Sequence, residues 1–510
     1  MSPGAQRLLY ALHRWGGVAL CILLVMWFVT GIMMMYVGFP KLTQAERLSH
    51  LGDITTANCC APLSDAMAHQ HQHSHMPPDS IQALVVAGQP IYRFGYHMSY
   101  SRADARTGQP LPDVDATEAL RIAARYIPGA TGKHEGLIEE DVWTRTMRFA
   151  AHRPIHRIQM NDPDSTLLYI SSRTGEVVRD APLSERIWGY VGAWTHWLYM
   201  FKSKYSDPVW EWTAVFFTVI SIILVITGAW IGISRWKFRG RYKSGRKTPY
   251  PQPMYRWHHI GGLIFAFFAL TWLLSGLASI NPAGIFNRKA VGVDRVAYHG
   301  GDLSPDRFAL DAATAIARLG PSFTPRVLEW TSIGGDPYLV TTNARNQVRV
   351  LPAAQGSTAI LPRIPAASIT RAAQQLIPGA ALAKLDLLTD YDSHYYARAQ
   401  HTLRGDENRR LPVFRATYTD PSRSTVYIDA HTGEIVAHHD RSTRAWHWTF
   451  NFVHSWEFAP LLNTRPSWDL IMLVLSAGGL VMSITGMILG LRRIKFTLRK
   501  RQQRRRPAGS

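Results

Sequence analysis

The stretch LYALHRWGG (9–17) sets a histidine and an arginine against a long apolar run, and the same arrangement returns 245 residues later. YALHRWGGVAL (10–20) aligns with YRWHHIGGLIF (255–265). His13 then falls on His258, Trp27 on Trp272, and Thr30-Gly31 on Ser275-Gly276. A second pair, RIWGYVGAWTHW (186–197) and RAWHWTFNFVHS (444–455), aligns at a spacing of 258 residues. It carries His196 onto His454, Trp210 onto Trp468, Thr227-Gly228 onto Thr485-Gly486 and Lys237-Phe238 onto Lys495-Phe496. Registration held without a gap over about fifty residues marks an internal repeat.

Neutral imidazole is a metal ligand. Histidine at membrane depth is uncommon and faces the interior of a bundle. The repeat therefore supplies two candidate ligand pairs, His13 with His258 and His196 with His454. His13 and His196 lie a membrane thickness apart and do not make a pair. His259 and His447 stand where the other half has Arg14 and Gly189, and are alternatives to their neighbours. A single interfacial histidine among tryptophans reads as a headgroup contact, so the weight rests on the repetition.

The elements that must position these side chains are apolar. Residues 15–37, 213–233, 260–280 and 470–491 each reach the roughly 20 residues that cross the hydrocarbon. The first has no small-residue cleavage site after its apolar core and is expected to be retained. The net charge is +20, and nineteen of those charges lie in 1–14, 234–256 and the tail after Leu491, none of which holds an acid. This is the positive-inside pattern, with both termini cytoplasmic and attraction to anionic lipid. It argues against a nucleic-acid partner. The nearly neutral segments 38–212 and 281–469 fall outside. Both halves start inside, so the repeats are parallel. The Trp-rich segments around His196 and His454 read as short interfacial helices. The expected order is a first span to 37, an outer region 38–185, an interfacial helix and second span 186–233, and a basic loop 234–256. A third span 257–280, an outer region 281–443, an interfacial helix and fourth span 444–491 and a basic tail 492–510 follow.

The outer segments repeat on a smaller scale. STLLYISSRTGEVV (165–178) and STVYIDAHTGEIV (424–436) each read as strand, glycine turn, strand. Each follows a helical stretch, 116–130 or 367–380. Weaker copies at 79–111 and 306–361 suggest two small α+β modules per half. Cys21 lies in a span. Cys59 and Cys60 are adjacent and could pair, bind metal or stay as thiols. HQHQHSHM (69–76) places His69, His71, His73 and His75 at alternate positions, a loose metal collector or a solvated low-complexity loop.

YIDAHTGEIV resembles a PepSY module, and the order of His-bearing span, PepSY region and second span resembles the PepSY-associated transmembrane family over nearly the whole chain. Some members of that family are inner-membrane ferric-siderophore reductases carrying b-type haem. The resemblance implies an α-helical membrane protein with α+β outer modules. Its four transmembrane helices form two parallel repeats, each enclosing periplasmic PepSY-like domains, in the bacterial inner membrane. It further implies two bis-histidine haems b, on His13 with His258 and on His196 with His454, and a haem-dependent metalloreductase. Arg14 and Arg256 could pair with propionates on the inner side. The acceptor would be a ferric siderophore or another iron chelate. The sequence contains no GxGxxG after a strand, no P-loop, no HExxH and no GxSxG. The electron donor would then be a cytoplasmic reductase, a soluble flavin or quinol. Two alternatives use other parts of the chain. The PepSY modules could bind or inhibit an envelope protease or signalling partner, or the histidine-rich loop could handle periplasmic copper.

Overall fold

The structure is a computed structural model. It describes the chain except residues 1, 71–75, 283, 285–291, 404, 406–407 and 506–510 and the side chains of 70 and 501–505. The chain divides into two units. One comprises Met1–Val37, Trp188–Arg288 and Thr443–Ser510; the other comprises Gly38–Ile187 and Lys289–Ser442.

The first unit is helical. Four helices in it are long and apolar enough to cross a membrane: Pro3–Tyr36, Pro208–Arg235, Pro253–Ile280 and a fourth beginning at Ser467. The first three open on proline, whose fixed φ and missing N–H suit the first helical position. Ser2 and Asp207 cap two of them through their side chains. Ser2 with Pro3, and Pro253, start the first and third helices well before the apolar runs, so His13 and His258 lie inside helices and not ahead of them. The first and third helices each pack against the second and the fourth, around a core that includes Leu20, Leu24, Leu224, Ala266, Leu273 and Met482.

Two short segments feed the second and fourth helices. Helix Leu183–Gly189 runs into the π-helical turn Tyr190–Trp194, and helix Arg441–His447 into the π-helical turn Trp448–Phe452. Such widened turns re-aim the side chains that follow and are frequent at functional sites. Both segments stop at a residue in the left-handed region, Leu198 at φ 55° and Trp456 at φ 50°, again 258 residues apart. The indole of Trp210 donates to the Trp197 carbonyl at 2.6 Å, and that of Trp468 to the Ser455 carbonyl at 3.0 Å.

Among the described residues, the second unit contains three antiparallel sheets. Its strands in chain order are β1 (Ser80–Val86), β2 (Gln89–Tyr96), β3 (Ser99–Asp104), β4 (Gly132–Ile138), β5 (Ile155–Met160), β6 (Leu167–Ser171) and β7 (Val177–Ala181). The later half adds β8 (Pro325–Ile333), β9 (Asp336–Asn343), β10 (Val348–Pro352), β11 (Leu382–Leu388), β12 (Val413–Tyr418), β13 (Thr425–Asp429) and β14 (Ile435–His439). Strands β4 to β7 and β11 to β14 form two four-stranded meanders, each preceded by an amphipathic helix, Ala116–Tyr126 or Ala366–Leu376. Both helices stop before the IPG triplet, because Pro128 and Pro378 remove a donor and Gly129 and Gly379 take positive φ. They are therefore shorter than the helical stretches expected from periodicity.

The remaining strands depart from the expected modules. They form one six-stranded sheet in the order β10-β9-β8-β1-β2-β3, joined where β1 pairs with β8. The two outer segments thus share a sheet and one core, which includes Ile81, Tyr92, Phe94, Leu328 and Trp330.

A chain of polar groups lies along this seam. Glu176, from the first TGE turn, binds Arg47 at 2.7 Å and also Arg93. Arg93 donates to Gln82, and Gln82 donates to Glu329, its cross-strand neighbour, at 2.7 Å. Burial opposes the charge on Glu176, yet Arg93 and Arg47 hold it well below the usual carboxylate range. Glu329 goes the other way. Burial and the Glu434 carboxylate push it up to about 7, against the Gln82 hydrogen bond and the more distant Arg93 and Arg47. A carboxyl whose folded value is raised contributes stability at low pH and loses it as pH rises from about 4.5 towards 7. Glu329→Gln keeps an acceptor and removes the charge. It should raise the melting temperature at pH 8, by the equivalent of roughly 1–3 kcal/mol, and leave it nearly unchanged at pH 4.5, as read by thermal unfolding at both values.

Candidate functional site

The four helices bring the repeat-matched histidines together in two pairs. The His13 and His258 rings have centroids 6.2 Å apart and planes inclined at 36°. The His196 and His454 rings have centroids 6.4 Å apart and planes at 80°. On the first and third helices the pairs are served by positions 13 and 30, and 258 and 275. At 1.5 Å per residue the two levels are about 25 Å apart.

These separations have a chemical meaning. Two imidazoles that bind one metal from opposite sides, each at about 2 Å, hold their nitrogens about 4 Å apart. The centre of a five-membered ring lies about 1.1 Å behind each nitrogen, given ring bonds near 1.35 Å. The centroids then stand about 6 Å apart, as both pairs do. Rings in mutual hydrogen bond would be closer, while an edge-to-face ring contact spans about 4.5–7 Å and includes this separation.

Each imidazole rests on a four-residue-spaced unit of a neighbouring helix. The unit has a backbone carbonyl, a hydroxyl three residues on that bonds it, and a glycine four residues on. On the second helix it is Leu224, Thr227 and Gly228; on the fourth it is Met482, Thr485 and Gly486. On the first it is Trp27, Thr30 and Gly31; on the third it is Trp272, Ser275 and Gly276. A Cβ at Gly228 would lie 2.5 Å from His13 Cε1, and one at Gly486 would lie 3.1 Å from His258 Cε1. At Gly31 and Gly276 it would meet Cε1 of His196 and His454 at 3.6 and 3.8 Å. Gly228 leaves no room for a Cβ beside the His13 ring and Gly486 little beside that of His258, whereas at Gly31 and Gly276 a Cβ would make ordinary contact.

The same units fix the proton. His13 Nδ1 donates to the Leu224 carbonyl at 3.1 Å. His258 Nδ1 lies 3.1 Å from the Met482 carbonyl and 3.2 Å from Thr485 Oγ1. His196 Nδ1 meets Thr30 Oγ1 at 2.9 Å, and His454 Nδ1 meets Ser275 Oγ at 3.0 Å. Both hydroxyls already donate to backbone carbonyls, Thr30 to Met26 at 2.8 Å and Ser275 to Trp272 at 3.0 Å. They are left to accept. All four rings are therefore Nδ1–H tautomers with a bare lone pair on Nε2. Among the described residues no hydrogen bond ends on any of these four Nε2 atoms.

The alternatives separate here. His259 has both ring nitrogens engaged, Nδ1 with Thr248 Oγ1 and Nε2 with the Gly232 carbonyl, each at 2.8 Å. It pins the basic loop to the second helix and has no nitrogen left for a metal. His447 bonds Asn451 through Nδ1, four residues along its own helical segment. Trp27 donates to the His196 carbonyl at 3.0 Å, which fixes the segment that presents that ring. Phe450 stacks on His454 at 5.0 Å, where the first half has Gly192.

The Thr-Gly and Ser-Gly pairs that the repeat aligns carry the contact with the rings, and the Gly16-Gly17 and Gly261-Gly262 pairs beside the inner histidines do not. Those glycines face Leu224 and Met482 side chains, or nothing within 4 Å at Gly262. The usable signal was a small hydroxyl-glycine pair inside each of four apolar runs.

Among the described residues no group of three or more His, Cys, Asp or Glu is placed to hold a metal ion. Cys59 and Cys60 are joined to each other in a disulfide. Of the histidine-rich stretch, His69 bonds the Asp65 carbonyl at 2.8 Å, while His71, His73 and His75 lie outside the described residues.

Gly228→Ala should destabilise the protein by about 1–3 kcal/mol through overpacking against His13. Gly262→Ala, with open space around it, should be neutral or slightly stabilising; thermal unfolding of the two detergent-solubilised variants makes the comparison.

The family model for the PepSY-associated TM region matches residues 10–318, more than half of the chain. No curated protein matches it.

Proposed function

The chain belongs to the PepSY-associated TM region family, and from that premise we propose that it is a two-haem electron-transfer protein of the membrane that reduces ferric chelates. The observation that carries this reading is the pairing of four imidazoles at two levels, each with Nδ1 tied down and no hydrogen bond on Nε2 among the described residues. Two imidazoles alone make a poor metal site, but a planar tetradentate macrocycle supplies the other four bonds to iron. The residues present fit that group. The separation would suit two imidazole nitrogens binding one iron, and the Nδ1–H tautomer would leave Nε2 to bind it, with no charged side chain needed between the rings. When bound, the group would supply one-electron exchange with no open iron position for oxygen chemistry.

What the chain itself does is hold and orient. His13 and His258 would grip one haem and His196 and His454 the other. Gly228 and Gly486 leave room for the His13 and His258 rings, and the carbonyls and hydroxyls stop each ring from turning. Two levels about 25 Å apart cover most of a hydrocarbon thickness that one could not. With the basic segments cytoplasmic, the His196–His454 level lies on the periplasmic side of the inner membrane. A reduced flavin, quinol or cytoplasmic reductase gives up one electron, and a ferric siderophore or similar chelate takes it. Fe(II) is held less firmly than Fe(III) by hard oxygen ligands, so reduction frees the metal.

The purified protein should be red, with a reduced-minus-oxidised b-type spectrum and two haems per chain by pyridine haemochrome. His13→Ala or His258→Ala should remove one, and His196→Ala or His454→Ala the other. A colourless, folded protein would leave a membrane-anchored PepSY binding module as the better account.

A further inference from the structure

The two histidine pairs are anchored by different chemistry. At the first level the nearest acceptor of Nδ1–H is a peptide carbonyl, Leu224 for His13 and Met482 for His258. At the second it is a hydroxyl, Thr30 for His196 and Ser275 for His454. The nearest acceptor differs in the same way in both halves, although the Trp27 and Trp272 carbonyls also lie in bonding reach of His196 and His454, and Thr485 Oγ1 lies 3.2 Å from His258 Nδ1. An acceptor on Nδ1–H pushes electron density through the ring onto Nε2 and makes it a stronger donor to a metal. A stronger donor favours the more highly charged, oxidised iron and lowers its potential. A peptide carbonyl, with its large dipole, is the stronger acceptor. A hydroxyl whose own proton is committed to a carbonyl is the weaker, relayed one.

We propose that Thr30 and Ser275 are positioning residues that hold the His196–His454 site at a higher reduction potential than the His13–His258 site. This rests on the haem reading above. The order makes electron movement from the first level to the second downhill, so the direction of flow is built into the second contacts of the ligands. The basic segments near the first level act in the opposite sense. Their side chains are largely exposed and their field is screened by water and salt, whereas the hydrogen bonds act directly on the ligand ring.

Thr227 and Thr485 give an internal control. Thr227 sits in the equivalent place on the second helix, but its hydroxyl bonds the Ile223 and Leu224 carbonyls and makes no hydrogen bond to His13. Thr485 is the farther of the two acceptors near His258.

The test is spectroelectrochemical titration of the haem-loaded, full-length protein. The two sites are assigned from the His13→Ala and His196→Ala variants, each of which retains the other site. The site retained in His13→Ala should titrate at the higher potential. Thr30→Val with Ser275→Ala leaves the Trp27 and Trp272 carbonyls as the acceptors in reach, so it should lower that site towards the potential of the other and leave the other where it was. Thr227→Val should leave both in place, or lower the first slightly by freeing the Leu224 carbonyl. Equal potentials, the reverse order, or a Thr30→Val, Ser275→Ala protein with unshifted potentials would overturn the proposal while the haem reading stands. A protein that takes up no haem would overturn the reading itself. Haem content and Soret intensity of the hydroxyl variants separate a shifted potential from simple loss of the site.

Discussion

An imidazole placed among membrane-length helices must satisfy its N–H without water, and must do so without turning its lone pair away from the interior. That constraint governs the helical unit. A helix offers no spare donor or acceptor along its length, since each carbonyl is bonded four residues on. It can accept a further donor only where its surface is bare enough for the carbonyl to be reached. Glycine at the position that bonds the carbonyl provides this, and a serine or threonine beside it can act as either acceptor or relay. The four imidazoles each use this solution, on four different helices. The placement of rings, the choice of tautomer and the close crossing of neighbouring helices follow from it together.

The same constraint separates His259 from the paired rings. His259 lies next to His258 in sequence, but the helical turn of about 100° per residue sends it to another face. There it reaches Thr248 and the Gly232 carbonyl and becomes a clasp for the basic loop. Adjacent identity in sequence therefore divides into two roles by angle alone. The π-helical turns before His196 and His454 make a similar correction of angle: one extra residue per turn rotates the following ring towards its partner.

Much of the helical unit was legible in the sequence. Hydropathy placed the four spans, and the alignment set His13 over His258 and His196 over His454, the rings the helical unit brings together. The helix starts were less so, because proline and cap residues extend the first and third helices beyond their apolar runs. The role of Gly31, Gly228, Gly276 and Gly486 was not visible, because a helix contact depends on which face two helices share, and a glycine in an apolar run carries no mark of its neighbour. In the sheet unit, the TGE turns and the preceding helices could be read. The joining of β1 to β8 could not. Both strands alternate well enough to belong to separate sheets, and nothing local tells an edge from a seam.

That seam orders events in time. Val86 ends β1 and Pro325 begins β8, with about 240 residues and two membrane-length helices between them. At a synthesis rate of about 5–20 residues per second, β1 waits roughly 10–50 s for the strand that completes its sheet. During that interval the apolar face bearing Ile81, Tyr92 and Phe94 lacks Leu328 and Trp330, and one row of backbone groups has no strand to pair with. Until residue 325 has been made that edge stays open, and a ribosome pause placed before it would lengthen the period in which the edge can recruit the wrong neighbour.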